Sequence, residues 1–154
     1  MGTPTTSAGG IVIRKVGQDI QIVIVEWEKN VPPKWAPILR QLPKGGVKPG
    51  ETLEIAALRE VLEETGYQAQ IISKAGEASW RYTRDGVVWD ETVHYFFMTT
   101  NSSEATQDHD DEFDYVRWIS INEAALILSY PEEKNLLKGV IEKDIIPASF
   151  RGKV

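Results

Sequence analysis

The chain has 154 residues, 42% hydrophobic and 26% charged, with 17 Lys and Arg against 23 Asp and Glu and a formal net charge of −6. The length suits one domain over residues 1–154, large enough to bury a core without staples, and the acidic balance argues against general binding of duplex nucleic acid. The absence of cysteine excludes disulfides, thiolate zinc sites, iron–sulfur clusters and a cysteine nucleophile.

Other classes fall away on patterning. His94 and His109 are too few and too far apart for a histidine metal site. No apolar run reaches the roughly 18 residues that a membrane helix needs. Met1 to Thr6 has no charged region followed by an apolar run, so a secretory signal is not expected. The expectation is a cytoplasmic enzyme, monomer or homodimer, acting on a small molecule and not on membranes.

In chain order, residues 1–8 are small and polar and are expected to fray. Ile11-Val12-Ile13 and Ile20 to Val25 are β-branched runs separated by Gly17-Gln18-Asp19, which predicts two strands and a turn. Glu28 to Pro37 reads as a polar loop and Ile38 to Leu42 as a short strand. Pro43-Lys44-Gly45-Gly46 and Pro49-Gly50 punctuate the chain. Residues 52–65 predict a helix, with Gly66 as its left-handed C-cap. Gln70 to Ala78 and Trp80 to Arg84 read as strands, Asp85-Gly86 as a tight turn, and Val87 to Thr100 as the returning strand. An acidic loop from Asn101 to Asp111 leads to a strand over Phe113 to Ile119. Helices follow over Asn122 to Leu128 and Glu132 to Lys143. Mixed strands and helices predict one α/β or α+β sandwich.

The helix over 52–65 carries the chemistry. At about 100° per residue, Glu60 shares a face with Glu63 and Glu64. Ile55, Ala57, Leu58, Val61 and Leu62 form the side expected to meet a core, and small Ala56 is expected to leave room beside the acids. Clustered carboxylates near a helix C-terminus repel one another and oppose the macrodipole, so local stability does not account for them. A divalent cation does, and all-oxygen ligands favour Mg2+, with Mn2+ as a substitute. The preceding loop brings Lys44 and Lys48, suited to phosphate oxygens, and consecutive glycines that allow close backbone approach.

Gly45-x5-Glu51-x7-Arg59-Glu60-Val61-x-Glu63-Glu64-x-Gly66-Tyr67 resembles the Nudix box, over about one-seventh of the chain. Tyr67 replaces an aliphatic residue at the packing end. The resemblance implies a Nudix-type α/β/α sandwich with a mixed sheet and a metal-dependent hydrolase of nucleoside diphosphate-linked substrates. It implies Glu60 and Glu64 as principal metal ligands, Glu63 as a further ligand or proton acceptor, and Gly45 as a carbonyl ligand. Arg59 and Glu51 would be an ion pair fixing helix to loop. A further carboxylate from a later loop is assigned to Glu112, ahead of Arg117-Trp118.

Leu42-Pro43-Lys44-Gly45, Pro49-Gly50-Glu51 and Val93 to Met98 resemble the diadenosine polyphosphate hydrolase branch. Lys44 would suit a long phosphate chain. Tyr82 first, and Trp80 on the same strand face, are candidates for stacking on adenine; Trp89 and Tyr95 are the other nearby aromatics. His94 is expected to be a strand residue with a satisfied partner. The alternatives are a sanitising nucleoside triphosphate pyrophosphatase, a diphosphoinositol polyphosphate or capped-RNA pyrophosphohydrolase, and a non-catalytic nucleotide sensor.

Overall fold

The computed structural model describes residues 2–27, 38–101 and 115–150. The expected loop over 28–37 and most of the acidic run, including His109 and Glu112, lie outside the described residues.

The apolar runs near the N-terminus are uninterrupted because both faces of their sheet are covered. Strand β1 (Thr3–Val16) and strand β2 (Asp19–Trp27) pair antiparallel around a turn in which Gly17 has φ 62°. Side chains alternate between faces along a strand. Ile11, Ile13, Ile22 and Ile24 therefore enter one core, while Ala8, Val12 and Val23 enter another on the opposite side.

The short strands β3 (Leu39–Gln41) and β4 (Lys44–Gly46) follow, then helix α1 (Leu53–Thr65). The long strands β5 (Ala69–Arg84) and β6 (Val87–Thr100) form a hairpin closed by Asp85 and Gly86, at φ 52° and 76°. Strand β7 (Tyr115–Ser120), helices α2 (Ile121–Ile127) and α3 (Pro131–Glu142) and a 3-10 turn at Ala148–Phe150 complete the order. Among the described residues the sheet runs β3-β2-β1-β6-β5, with β4 also paired to β1 and β7 to β2. Among the described strands only β1 and β6 pair parallel, so the sheet is mixed. Helix α1 packs with Ala56, Ala57 and Val61 on one face; α2 and α3 supply Ala124, Ala125, Leu137 and Val140 to the other. The result is the expected α/β/α sandwich. No helix among the described residues is long and apolar enough to cross a membrane.

Several expectations are corrected. Residues 3–8 are not frayed: β1 pairs with β6 from Thr3–Trp89 to Val12–Met98. The ladder satisfies the backbone of a segment whose polar side chains gave no strand signal. The two strands expected over 70–84 are one, because Ala78, Ser79 and Trp80 pair without a break with Val93, Thr92 and Glu91; the register shifts lie earlier, between Ile71 and Ser73 and between Lys74 and Gly76. Ile55 is 54% exposed on α1, so it does not face the core. Ala56 is fully buried against the sheet and lines no open space beside the acids. Its small size serves close packing of helix on sheet.

The same closeness explains Gly10 in β1. A Cβ there would lie 2.8 Å from Val61 Cγ2 on α1 and 2.7 Å from Met98 Sδ. Gly10→Ala is expected to push α1 off the sheet and destabilise the protein by about 1–3 kcal/mol in urea unfolding.

Candidate active site

Helix α1 begins where Thr52 accepts a hydrogen bond from the Ile55 amide at 3.1 Å. It ends at Gly66, whose φ of 78° requires no Cβ and whose N–H bonds the Leu62 carbonyl. Ala57, Val61 and Glu64 lie at i, i+4 and i+7, so Glu64 emerges from the stripe that faces the sheet and is only 3% exposed. The Lys44 amide meets Glu64 Oε1 at 2.8 Å. Gly45 lies so close to the Glu60 carboxyl that any Cβ would overlap it. Strand β4 is in turn fixed to β1 through the pairs Ser7–Gly46, Ala8–Gly45 and Gly9–Lys44.

Arg59 ties the helix to the loop before it. Its Nε and Nη2 donate to Glu51 Oε2 and Oε1 at 2.7 and 2.8 Å, a bidentate pair. Nη2 also donates to the Gly46 carbonyl at 2.9 Å, and Nη1 donates to Glu60 at 2.7 Å and Glu63 at 3.2 Å. The Lys48 amide donates to Glu51 at 2.8 Å. The Arg59 guanidinium, helped by that amide, holds the Glu51 carboxyl down to about 2, and the acids around Arg59 push its own value up.

An open cleft of about 840 Å³ lies beside this junction, bordered by Lys44, Gly45, Glu60, Glu64, Trp80, Tyr82, Glu91 and Tyr130 among others. The structure thus brings together Lys44, Gly45, Glu60, Glu64, Trp80 and Tyr82 from the expected set. It leaves Lys48 outside the cleft, where its amide serves Glu51. Glu63 also lies off the cleft, 42% exposed at the side chain and bonded to Arg59. Glu51 and Arg59 do not border the cleft. Tyr95 is fully buried and cannot stack on a ligand. Trp89 is Tyr82's partner in the β5–β6 ladder. His94 is only partly satisfied: Nδ1 is buried 3.2 Å from Glu77 Oε1 but without hydrogen-bond geometry. Tyr67, the departure in the box, is 4% exposed, packs edge-on to Trp118 and accepts its Nε1–H at 2.7 Å.

Sequence reasoning missed two cleft residues and a support. Glu91 on β6 accepts from Ser7 Oγ at 2.6 Å and from Lys44 Nζ at 3.1 Å. Tyr130 stacks near-parallel to Trp80, 6.0 Å between ring centres. Behind them Glu133 is fully buried on α3, accepting from Tyr95 OH at 2.6 Å and from the Leu42 amide at 3.2 Å. Burial pushes its carboxyl up to about 7, against the pull of those hydrogen bonds. Each was signalled only as a charge or aromatic within an ordinary element.

Two cleft carboxylates, Glu60 and Glu64, next to a lysine form an all-oxygen donor set. Among the described residues no three acidic or histidine side chains form a ready-made metal cage. The donor set fits a hard cation that keeps water and takes substrate phosphate oxygens, for which one or two carboxylates suffice.

The sequence model of the NUDIX domain matches residues 3–140. The chain belongs to the Nudix family. Nudix hydrolases act on pyrophosphate bonds and generally use divalent cations. The chain is 34% identical over 133 residues to "Putative mutator protein MutT4" of Mycobacterium tuberculosis, covering 85% of this chain and 52% of that protein. It is 31% identical over 115 residues to an RNA pyrophosphohydrolase of Rickettsia bellii, covering 67% of this chain and 71% of that one. The chain thus spans about half the length of the mycobacterial relative. The solved Ap4A hydrolase binary complex of C. elegans superposes with a TM-score of 0.70 at 25% identity, covering 92% of this chain and 98% of that one.

Glu51 and Glu133 act oppositely on stability. Glu51 is lowered from 4.5 to about 2 on folding, so its contribution is present above about pH 4.5 and is lost as pH falls toward 2. Glu133 is raised from 4.5 to about 7, so its contribution is full below about pH 4.5 and declines as pH rises through 7. Urea unfolding across pH is expected to show Glu51→Gln losing part of the acid-side slope and Glu133→Gln flattening the decline between about pH 4.5 and 7.

Proposed function

We propose that this Nudix chain is a Mg2+-dependent pyrophosphohydrolase that cleaves a phosphoanhydride in a nucleoside diphosphate-linked substrate, foremost a dinucleoside polyphosphate such as diadenosine tetraphosphate. The observation that carries the reading is the convergence of Glu60, Glu64, Gly45 and Lys44 on one cleft wall. Glu60, Glu64 and the Gly45 carbonyl would hold the cation, with Glu63 and Glu112 as further ligands. When bound, the cation would neutralise phosphate charge and lower the pKa of a coordinated water.

The chain's own residues supply the rest. Lys44 Nζ lies in the cleft and takes phosphate oxygens. Arg59 and Glu51 keep helix and loop in register, so that Glu60 stays against Gly45. Glu112, or Glu63 once turned from Arg59 toward the cleft, would accept the proton of the attacking water. Trp80 and Tyr82 offer aromatic faces to a nucleobase, with Tyr130 beside Trp80. The likeness to the C. elegans hydrolase over nearly the full length of both chains supports the dinucleoside choice. A second reading, pyrophosphohydrolysis of 5′-phosphorylated RNA, is favoured by the Rickettsia relative.

A panel of nucleotides with Mg2+ in heavy-oxygen water, read by mass spectrometry, separates the readings. Diadenosine tetraphosphate is expected to yield a triphosphate and a monophosphate, one of them labelled. Pyrophosphate released from RNA ends or modified nucleoside triphosphates, with the dinucleotide untouched, would replace the substrate choice. Glu64→Gln is expected to cut kcat by at least about 100-fold, since even outer-shell changes at metal sites cost 10–100-fold. Nucleotide binding by both proteins without turnover in either would make the chain a sensor.

A further inference from the structure

The cleft wall that carries Lys44 also carries a carboxylate that no part of the box supplies. Glu91 is 7% exposed on β6, and its two oxygens are divided between Ser7 Oγ at 2.6 Å and Lys44 Nζ at 3.1 Å. Lys44 Nζ is also 4.9 Å from the centre of the Trp80 ring. The ammonium is therefore drawn toward the aromatic side of the cleft by an anion and a π-face. The remaining charges add to the same effect. The cations bordering the cleft are Lys44, Arg81 and Arg84, against carboxylates on Glu60, Glu64, Glu91 and Glu132. Arg81 is paired with Asp90 at 2.7 Å. A bare polyphosphate entering here meets four carboxylates and must compete with Glu91 for Lys44.

We propose that Glu91 is a specificity-determining residue that occupies Lys44 and so makes the cleft select a polyphosphate chain in its cation-complexed form over the bare polyanion. The proposal rests on the polyphosphate reading above. Phosphate arriving with a divalent cation has lost much of its negative charge, so the carboxylates repel it less and Lys44 needs to supply less of the attraction. Ser7 contributes only a neutral hydrogen bond that holds the Glu91 carboxyl in place.

The test measures binding, not turnover. A methylene-bridged analogue of diadenosine tetraphosphate is titrated calorimetrically into the protein, once with EDTA and once with excess Mg2+. In Glu91→Gln the metal-free affinity is expected to rise about 3- to 10-fold, the scale of a partly buried ion pair released to a ligand. The affinity with Mg2+ is expected to change by no more than about twofold, so the ratio between the two conditions shrinks. Lys44→Met is expected to abolish the gain when combined with Glu91→Gln. Glu91→Asp, which leaves both charges in place, is expected to keep the wild-type ratio. Thermal unfolding reports whether each variant is folded. An unchanged or weaker metal-free affinity in Glu91→Gln, or a gain that survives Lys44→Met, overturns the proposal. If the wild type still hydrolyses dinucleotides in that case, the functional reading stands alone. A wild type that binds no analogue in either condition overturns both.

Discussion

One guanidinium holds the site together. Arg59 lies between Glu51, Glu60, Glu63 and the Gly46 carbonyl, with its donors directed to acceptors from a loop, a short strand and its own helix. Without it the three box carboxylates of α1 would repel one another and the Glu51 side chain would lose its bidentate link to them. The bidentate geometry to Glu51 restricts orientation as well as distance, which a lysine at this position would not do. The arrangement is also far from neutral in protonation: Glu51 is held ionised to about pH 2 by its partners.

Around that hub, the sheet and α3 aim the loop. Strand β1 pairs with both β4 and β6, so its N-terminal half places Lys44 and Gly45 on one side and Glu91 on the other. Glu133, buried on α3, receives the Leu42 amide two residues before Lys44. A buried carboxylate of this kind is costly to desolvate, and its raised pKa records that cost. The phosphate-facing loop is thus held from the sheet edge, from α1 through Glu64, and from α3 through Glu133.

Local chemistry was the most legible part. The helix followed from its run of Ala, Leu and Glu and its end from Gly66, and the β5–β6 turn from Asp85-Gly86, because those signals depend on near neighbours alone. Errors arose where a distant segment overrode local preference. Thr3 to Ser7 look like a leader until β6 lies beside them. Ala56 looks like a gap and is a packing surface. Lys48 looks equivalent to Lys44, yet only Lys44 reaches the cleft.

The sequence by itself determined the helix, its Gly66 C-cap and the spacing of Glu60, Glu63 and Glu64, since residue periodicity and steric need fix these within a few turns of chain. Only the tertiary structure decided which of the acids borders the cleft, that Glu91 pairs with Lys44 across 47 positions, and that Glu133 closes on Leu42 across 91. Contacts of that separation depend on how strands pair and helices pack, and no periodicity along the chain encodes them.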